Sequence, residues 1–405
     1  MKVVAIISEY NPFHQGHEYQ VKEIRRTLGE DTAIIAIMSG NFTQRAEPAV
    51  CDKTIRAEAA VECGVNLVLE LPFPFCMSSA EFFAKSGVRI IDGIGIVDHI
   101  SFGSESGDIG EISDIASVMS SEEYSLTLES LMSNNEYKDY GYPELCQAAI
   151  SMVYGKEIHR DFFTPNNILG IEYIKALHAI GSKVTPLTIK REGAGYHDII
   201  NPMAQFQSAS AIRAELGENN VSALDYVPDN AKNVYLKAIN NGKMPSNQSH
   251  LDYGVISHFR LSSPSAEVEI HEAAGGLYNR LCDMSAEATS ISSLTNMAET
   301  KKYTKSRIKR AIWNTYFGVT SSDVRALPAY TQVLGMDAIG RSLLKRIKKV
   351  SDFPVITKPS SYKDMEDAVI RQKELSNKVD AVYGLTLKNA NSGRFPLTFT
   401  PYVKD

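Results

Sequence analysis

The first hundred residues alternate between short, continuously apolar runs and longer segments with helical periodicity. The apolar runs are residues 2–8, 32–38, 66–71 and 98–102. The helical segments between them are residues 17–28, 48–63 and 79–91. Strands that are covered on both faces by helices are apolar along their whole length, so the runs indicate buried parallel strands. This alternation predicts an α/β fold with a Rossmann-like parallel sheet and right-handed crossovers.

The pattern changes further along the chain. Residues 109–180 are mostly helical in pattern, and a fifth strand is expected at residues 183–189, at a sheet edge because Pro186 has no N–H to donate. A helix that opens on serines follows at 208–216, and the sheet-building pattern ends there. A chain of 405 residues is longer than a single hydrophobic core usually accommodates. We therefore predict an α/β domain over residues 1–225 and a helix-rich C-terminal domain over residues 226–405.

Composition favours a soluble globular protein and argues against disulfide-rich, membrane-spanning and secreted classes. The net charge is −6, with 43% hydrophobic and 22% charged residues, which is ordinary for a soluble globular protein. The five cysteines are odd in number and include no CxxC pair, which argues against a disulfide framework or a zinc site and favours a reducing cytoplasm. No run of about 18 apolar residues is present, so we expect no membrane span. The apolar run at the amino terminus is too short for a secretory signal.

Two histidines, His14 and His17, flank Gly16 at the turn between the first strand and the first helix. Ligands of doubly wound sheets bind outside the carboxyl ends of the strands, and a helix start offers N–H groups and a positive dipole end to an anion. The two rings would donate to nucleotide phosphates, and the glycine would let a base or ribose approach the backbone. With an ordinary pKa of about 6.5, either ring could also be charged.

Two other interpretations of the histidine pair stay open. The rings could be ordinary capping or core histidines. They could also hold zinc, although only Glu9 and Glu18 stand nearby as further ligands. The position at the first strand-to-helix turn favours the nucleotide site.

The string HQGH at residues 14–17 resembles the HIGH signature of the nucleotidylyltransferase superfamily, whose members direct attack on the α-phosphate of ATP. The longer string EYNPFHQGH resembles the bacterial tRNA(Met) cytidine acetate ligase family. Similar strings follow in order: GNFTQRAEPAVCDKTIRAE, NLVLELPFPF, SSAEFFAKSGV, SFGSE, PNNILGIEYIKAL, IKREGAGYHD and SASAIR, and then YTKSRIKRA and TQVLGMDAIG in the tail. Ala46 departs from the family pattern, where glycine follows QR, which matters only if the loop needs a positive φ there.

The resemblance implies an ATP-dependent ligase that modifies RNA. Acetate would attack the α-phosphate of ATP, giving acetyl-adenylate and pyrophosphate. The exocyclic amine of the wobble cytidine in elongator tRNA(Met) would then take the acetyl group, leaving AMP and N4-acetylcytidine. Magnesium is expected to accompany the triphosphate, with no protein ligand that the sequence identifies.

The resemblance also implies which residues contact ATP. The family's contacts carry over onto the first turn, with His14 and His17 as catalytic residues: Ile7, Ser8, Glu9, Tyr10, Asn11, Pro12, Phe13, His14, Gln15, Gly16, His17, Glu18, Tyr19 and Gln20. They carry over also onto Gly103, Asn166 and Arg191. SASAIR resembles the superfamily's second signature, in which Ser208, Ser210 and Arg213 would hold the β- and γ-phosphates.

Several of these residues have structural alternatives. Asn166 and Ser208 could each be a helix N-cap, and Arg191 could form a surface ion pair. GNFTQR places Asn41, Gln44 and Arg45 beyond the second strand, where they would hold acetate or the incoming cytidine.

Two stretches concentrate positive charge. Residues 301–310 hold six basic residues and residues 341–349 hold five, with no acid in either. Such faces neutralise RNA phosphates, and we expect Lys309 to take part. Tyr303, Trp313 and Tyr316 lie close by and would either stack on unpaired anticodon bases or belong to the core.

Two other functions remain compatible with the sequence. One is a small-molecule adenylyltransferase or acid-activating ligase on the same fold, which would not require the long basic tail. The other is an RNA-binding protein whose nucleotide fold is catalytically silent, against which the intact histidine turn argues.

Overall fold

The computed structural model describes residues 1–138, 140–159, 162–191, 200, 206–264 and 269–405. The strands are β1 (Val3–Ser8), β2 (Ala33–Ser39), β3 (Leu67–Leu71), β4 (His99–Ser104), β5 (Thr185–Lys190), β6 (Thr331–Met336), β7 (Val355–Ile356) and β8 (Tyr402–Val403). The helices are α1 (Gln15–Leu28), α2 (Lys53–Glu62), α3 (Ala80–Gly93), α4 (Ile109–Met119), α5 (Glu122–Ser133), α6 (Tyr142–Tyr154), α7 (Pro165–Ala179), α8 (Ala209–Gly217), α9 (Asp229–Asn240), α10 (Asp252–Leu261), α11 (Leu277–Ser285), α12 (Ile291–Ala298), α13 (Lys305–Phe317), α14 (Ser321–Arg325), α15 (Ala338–Val350), α16 (Asp367–Tyr383) and α17 (Phe395–Thr398). The string EGAGYHD, at 192–198, lies outside the described residues.

These strands form one sheet in the order β5–β4–β1–β2–β3–β6–β7, and β8 pairs with β6. The strands β1 to β5 pair with one another in parallel. Every residue of β1, β2 and β3 is buried, as expected of parallel strands with helices on both faces. The chain order reverses between β1 and β4, and in such sheets this switch point is where ligands bind.

Helices cover both faces of the sheet because successive side chains of a strand point to opposite sides. On one face, Val4 and Ile6 of β1 join a core with residues of α1, α2, α8 and α9. On the other face, Val3, Ala5 and Ile7 join a larger core that includes α3, α7 and helices from the second half of the chain. The turn after β1 therefore emerges between the two layers.

The expectation that the sheet-building pattern ends after residue 216 is wrong. Residues 331–336 form β6, which pairs antiparallel with β3 and is buried at every residue except the last. The register joins Leu67 to Met336 and Leu69 to Val333. The predicted fold class, a Rossmann-like sheet followed by a helix-rich region, is confirmed, but the sheet is mixed rather than wholly parallel.

The C-terminal region packs directly onto the α/β region. Asp380 on α16 accepts a hydrogen bond from Asn41 at 3.0 Å and forms an ion pair with Lys53 at 2.5 Å. Trp313 on α13 donates its Nε1–H to the carbonyl of Ala46 at 3.0 Å. The boundary at residues 225 and 226 stays a prediction, but the two predicted parts share buried polar contacts. In the described part of the chain, no helix has the length and apolar character to cross a bilayer.

Candidate nucleotide site

An open cavity lies at the carboxyl ends of β1 and β4, where the strand order reverses. Most residues predicted to contact a nucleotide line it: Ile7, Ser8, Glu9, Tyr10, Asn11, His14, Gly16, His17, Tyr19, Gln20, Gly103, Asn166, Arg191, Ser208, Ser210 and Arg213. The fold thus brings together residues from five separate stretches of sequence. Four predicted contacts, Pro12, Phe13, Gln15 and Glu18, are not among the described residues that line the cavity.

Three of those four residues serve the fold. Phe13 is buried, and its N–H donates to the hydroxyl of Tyr235 at 2.8 Å. The Gln15 side chain donates to a backbone carbonyl at 3.3 Å, and Glu18 forms an ion pair with Lys22 at 3.0 Å. The first turn therefore divides its residues between the cavity wall and the packing of α1.

The backbone at the start of α1 fixes the two histidine rings. His14 is the N-cap residue, and its Nδ1 accepts from the N–H of Gly16 at 3.0 Å. His17 reaches back, and its Nδ1 accepts from the N–H of His14 at 3.1 Å. A neutral imidazole that accepts at Nδ1 carries its proton on Nε2. The helix cap thus gives both rings an Nε2–H donor, so capping and ligand binding are compatible roles.

Burial keeps both rings neutral. Desolvation, followed by the nearby Arg191 and Arg213 cations, lowers the pKa of His14 to about 3. Desolvation, followed by His14 and Arg191, lowers the pKa of His17 well below its ordinary value. The ring centroids are 3.9 Å apart, a distance at which two charged rings would repel. The suggestion that either ring carries a full charge is therefore not supported, and the rings act as neutral donors.

Gly16 has a structural role that the sequence did not indicate. A Cβ at this position would lie 2.9 Å from Cε1 of His14 and 3.1 Å from its Nδ1. Glycine is required here because the capping ring of His14 lies against its Cα. Close approach of a ligand to the backbone is not needed to explain it.

Glu105, which the sequence argument passed over, links the residues at the β4 end of the cavity. Its carboxylate accepts from Nδ2 of Asn166 at 2.6 Å and from the hydroxyl of Thr164 at 2.6 Å. Arg191 lies close by, with Nε 3.6 Å from Glu105 Oε1. At Gly103, a Cβ would lie 3.1 Å from Cγ of Arg191, so the glycine makes room for that side chain. An acid directly after the strand in SFGSE was the available signal.

The residues of SASAIR both cap a helix and line the cavity. The Ser208 hydroxyl accepts from the N–H of Ala211 at 3.1 Å and lies 3.1 Å from the hydroxyl of Ser210. Arg213 donates to the carbonyl of Asn11 at 2.7 Å, which ties α8 to the first turn. The N-cap interpretation of Ser208 is correct, and the capped helix start opens on the cavity.

The loop after β2 also contributes some residues to the cavity wall and others to the packing of the protein. Gln44 and Arg45 line the cavity, but Asn41 is buried and does not. Asn41 donates to Asp52 at 3.1 Å and accepts from the N–H of Lys53 at 2.7 Å, so it organises the start of α2. The expectation that Asn41 holds acetate or cytidine is therefore wrong.

Ala46 has φ +57, a left-handed conformation that favours glycine. The departure from the family pattern therefore falls at a position where the backbone does require a positive φ. The conformation costs roughly 1–2 kcal/mol for a residue with a Cβ. The burial of Ala46 and the hydrogen bond from Trp313 to its carbonyl hold the loop in place.

Residues 301–310 offer less free charge than their sequence indicates. Lys309 forms an ion pair with Glu47, and Arg310 pairs with Glu272 at 2.7 Å. Arg307 donates to backbone carbonyls of residues 272 and 274. Trp313, three residues after the stretch, is fully buried and cannot stack on a nucleotide base. Residues 307–310 thus pack against the rest of the protein, while Lys301, Lys302 and Lys305 are exposed.

The second basic stretch, on α15, keeps its cations exposed. Leu343, Leu344 and Ile347 are buried as predicted, while the basic side chains face solvent. These exposed cations are Arg341, Lys345, Arg346, Lys348 and Lys349. The helix begins beside Asn66, just before β3, so it lies at the amino-terminal edge of the parallel strands, opposite the cavity.

No group of three or more metal-ligating His, Cys, Asp or Glu side chains occurs among the described residues. Of the acids in the site, Glu9 accepts from the N–H of Gln44 at 2.8 Å, and both oxygens of Glu105 are engaged. This donor set does not form a protein cage for magnesium. It fits a metal held mainly by phosphate oxygens and water.

A switch-point cavity with two neutral histidine donors at a helix start defines a nucleotide-binding α/β enzyme.

Comparisons with known proteins agree with this class of enzyme. The family model of HIGH nucleotidyl transferases matches residues 1–395. The tRNA(Met) cytidine acetate ligase of Caldanaerobacter subterraneus subsp. tengcongensis is 35% identical over 411 residues, 100% of both chains. That of Acetivibrio thermocellus is 35% identical over 402 residues, 96% of each.

A solved structure extends the comparison. Thermotoga maritima TmcAL, crystallised with alpha-thio ATP, is 30% identical, with a TM-score of 0.90 over 100% of this chain and 99% of that one. The chain therefore belongs to the HIGH nucleotidyl transferase family and, within it, to the tRNA(Met) cytidine acetate ligases. The resemblance that the sequence indicated is confirmed, as is the prediction of an enzyme.

Proposed function

We propose that this protein activates acetate with ATP and transfers the acetyl group to N4 of the wobble cytidine in elongator tRNA(Met). The observation that carries the proposal is the turn after β1. There His14 and His17 hold neutral Nε2–H donors at the start of α1, in a chain similar along its whole length to tRNA(Met) cytidine acetate ligases.

In the first step, a carboxylate oxygen of acetate forms a bond to the α-phosphorus of ATP, and the bond to pyrophosphate breaks. Negative charge shifts onto the phosphate oxygens as this occurs. Donors held in place beforehand stabilise that charge more than the ground state. His14 and His17 would donate to the α-phosphate, while Ser208, Ser210 and the start of α8 would hold the β- and γ-phosphates.

In the second step, the N4 amine of cytidine attacks the acetyl carbonyl, the bond to AMP breaks, and the amine loses a proton. The products are AMP and N4-acetylcytidine. Gln44 and Arg45 line the cavity on the side of the β2 loop and are our candidates for receiving acetate or the base. Magnesium would neutralise the triphosphate when bound, held mainly by phosphate and water.

For the RNA surface we propose α15 rather than residues 301–310. Arg341, Lys345 and Lys349 recur every fourth residue, so they follow one side of the helix at intervals of about 6 Å. Their exposure suits contact with a phosphate backbone.

All five cysteines are free thiols, which fits the predicted reducing cytoplasm.

The test is pyrophosphate release from ATP by the purified protein. We expect stimulation by acetate but not by nicotinamide mononucleotide, pantoate or phosphopantetheine. Addition of unmodified tRNA(Met) should then yield N4-acetylcytidine, detected by mass analysis of nucleosides. Stimulation by nicotinamide mononucleotide, pantoate or phosphopantetheine would instead favour the small-molecule adenylyltransferase or acid-activating ligase. Tight tRNA binding without turnover of any acid would select the silent RNA-binding protein.

A further inference from the structure

Glu105 is held on several sides at the rim of the cavity. Its Oε1 accepts from Nδ2 of Asn166 at 2.6 Å, and its Oε2 accepts from the hydroxyl of Thr164 at 2.6 Å. Its own N–H donates to Oδ1 of Asn167 at 3.0 Å. This carboxylate is therefore a fixed acceptor, placed immediately after β4 on the cavity side of the sheet.

The fixed carboxylate determines how the Asn166 amide is turned. A carboxylate oxygen only accepts, so Asn166 must present its NH₂ group to Glu105. The amide oxygen, Oδ1, is then turned away from Glu105. In the part of the chain that the structure describes, no donor is recorded for this oxygen. Asn166 lines the cavity, so Oδ1 is available to a bound molecule as an acceptor.

The surroundings of Asn166 suit the nucleoside half of a nucleotide. Leu169 and Tyr173 follow at spacings of three and seven on α7, and Phe102 lies opposite, all lining the cavity. The histidines and the serines of SASAIR, which can donate to phosphates, come from other elements. An acceptor beside apolar and aromatic side chains is suited to a base or ribose, since a phosphate offers acceptors rather than donors.

We propose that Glu105 is a specificity-determining positioning residue: it fixes Asn166 as an acceptor that selects a hydrogen-bond donor on adenosine. That donor is either the 6-amino group of adenine or a ribose hydroxyl. A purine with a carbonyl at position 6, or a deoxyribose, lacks the matching donor. The inference rests on the proposed nucleotide site but needs neither acetate nor RNA.

Substitution of Glu105 by Gln distinguishes the selection of adenosine through Asn166 from a general effect of Glu105 on nucleotide binding. Gln has nearly the same shape but presents either an oxygen or an NH₂ group, so the Asn166 amide is free to turn over. The substitution also removes a negative charge 3.6 Å from Arg191. That effect acts on the phosphates of every nucleotide alike and cancels in a ratio of affinities.

The experiment is equilibrium binding of ATP, ITP, 2′-deoxyATP and 3′-deoxyATP to the full-length protein by calorimetry. Wild type should bind ATP about two- to tenfold more tightly than the analogue that lacks the selected donor, the range expected for one neutral hydrogen bond. Weak binding of ITP identifies the amino group, and weak binding of a deoxy analogue identifies the hydroxyl. E105Q should bring that ratio close to one and leave the other ratios unchanged.

N166A provides a second variant that should lose the same ratio, so the test does not depend on the folding of E105Q. E122Q, at the exposed start of α5, removes a charge elsewhere and should leave every ratio as in wild type. Equal affinities of wild type for all four nucleotides, or uniform weakening in E105Q and N166A, would overturn the inference while leaving ATP binding intact. Absence of any nucleotide binding would overturn the proposed function as well.

Discussion

His14 and His17 each use Nδ1 to accept a backbone N–H at the start of α1. One set of hydrogen bonds therefore caps the helix and fixes the tautomer of both rings. The sequence suggested a choice between a structural and a ligand-binding role for these rings. The structure removes that choice, because the cap uses one nitrogen and leaves the other for the cavity.

Removing either ring should slow the first chemical step. His14→Ala and His17→Ala each delete one Nε2–H donor, and we expect roughly 2.7–4 kcal/mol of lost transition-state stabilisation, about 10²–10³ in rate. The measurement is acetate-dependent pyrophosphate release. His178→Ala, which replaces an exposed histidine at the end of α7, is the control and should keep wild-type activity. Unchanged rates in the His14 or His17 variant would refute the donor role.

Burial of His14 should also make stability depend on pH. Its pKa is lowered to about 3 in the folded protein, whereas an unfolded histidine binds a proton below about 6.5. The stabilising contribution is thus complete above pH 6.5 and is lost as the pH falls towards 3. From this group we expect a loss of up to about 1.4 kcal/mol per pH unit in the free energy of unfolding.

The comparison is with His14→Asn, which keeps a capping side chain but has no titrating group. Denaturant unfolding at pH 7.5, 6.5, 5.5 and 4.5 should show the wild-type advantage shrinking as the pH falls. Contributions from other groups, such as Asp380, are common to both proteins and cancel. Parallel curves would show that His14 titrates normally.

Gly16→Ala should disturb the same turn without removing a functional group. The new Cβ would meet the His14 ring at 2.9 Å and displace it from its capping position. We expect a loss of about 1 kcal/mol in the free energy of unfolding, the usual value of an N-cap, and slower pyrophosphate release. Gly217→Ala, at the end of α8 where nothing lies within 4 Å of a Cβ, should be neutral or slightly stabilising. Equal effects of the two substitutions would contradict this account.

Among the elements, those set by local pattern were predicted well. β1 to β5 fall within two residues of the predicted runs, and for the buried strands β1, β2 and β3 the reason is that a continuously apolar segment has few alternatives to a covered parallel strand. The helix predicted at residues 48–63 begins only at Lys53, since Asp52 caps it by accepting from the N–H of Thr54. β6 was missed because Thr331, Gln332 and Gly335 interrupt its apolar residues, and its pairing with β3 joins residues more than 260 apart in sequence. Glu105 was missed because its role comes from contacts with residues about 60 positions further along the chain, Thr164 and Asn166.

α15 should account for the salt dependence of RNA binding. Lys345 and Lys349 are exposed on one side of this helix, so a double substitution to alanine removes two phosphate contacts. We expect the slope of log K against log salt to fall by roughly 1.4–1.8. Binding of tRNA(Met) is measured at several salt concentrations, with Lys388→Ala, another exposed lysine, as the control. Pyrophosphate release without RNA should be unaffected. An unchanged slope would show that RNA binds elsewhere.

For the molecule as a whole, the C-terminal region completes the α/β region. β6 covers the edge of β3, and Asp380 on α16 neutralises Lys53, which also pairs with Glu70 at 2.6 Å in the same buried cluster. A buried ion pair that loses one partner costs roughly 3–5 kcal/mol, and this range is an upper bound for the loss of Asp380 because Lys53 keeps its ion pair with Glu70. We therefore expect the two predicted domains to depend on each other for stability.

A fragment of residues 1–225 tests this dependence. It retains the histidine turn but exposes the edge of β3, with Leu67 and Leu69, and leaves Lys53 without Asp380. Typical domains are stable by only about 5–15 kcal/mol, so we expect the fragment to lack a cooperative unfolding transition and to aggregate. In the full chain, where Lys53 keeps Glu70, Asp380→Ala should lower the free energy of unfolding by up to about 3–5 kcal/mol, and Asp380→Asn, which keeps a hydrogen-bonding group, by less. Circular dichroism during urea titration measures both. A fragment that unfolds cooperatively with the stability of the full chain would show instead that residues 1–225 fold independently.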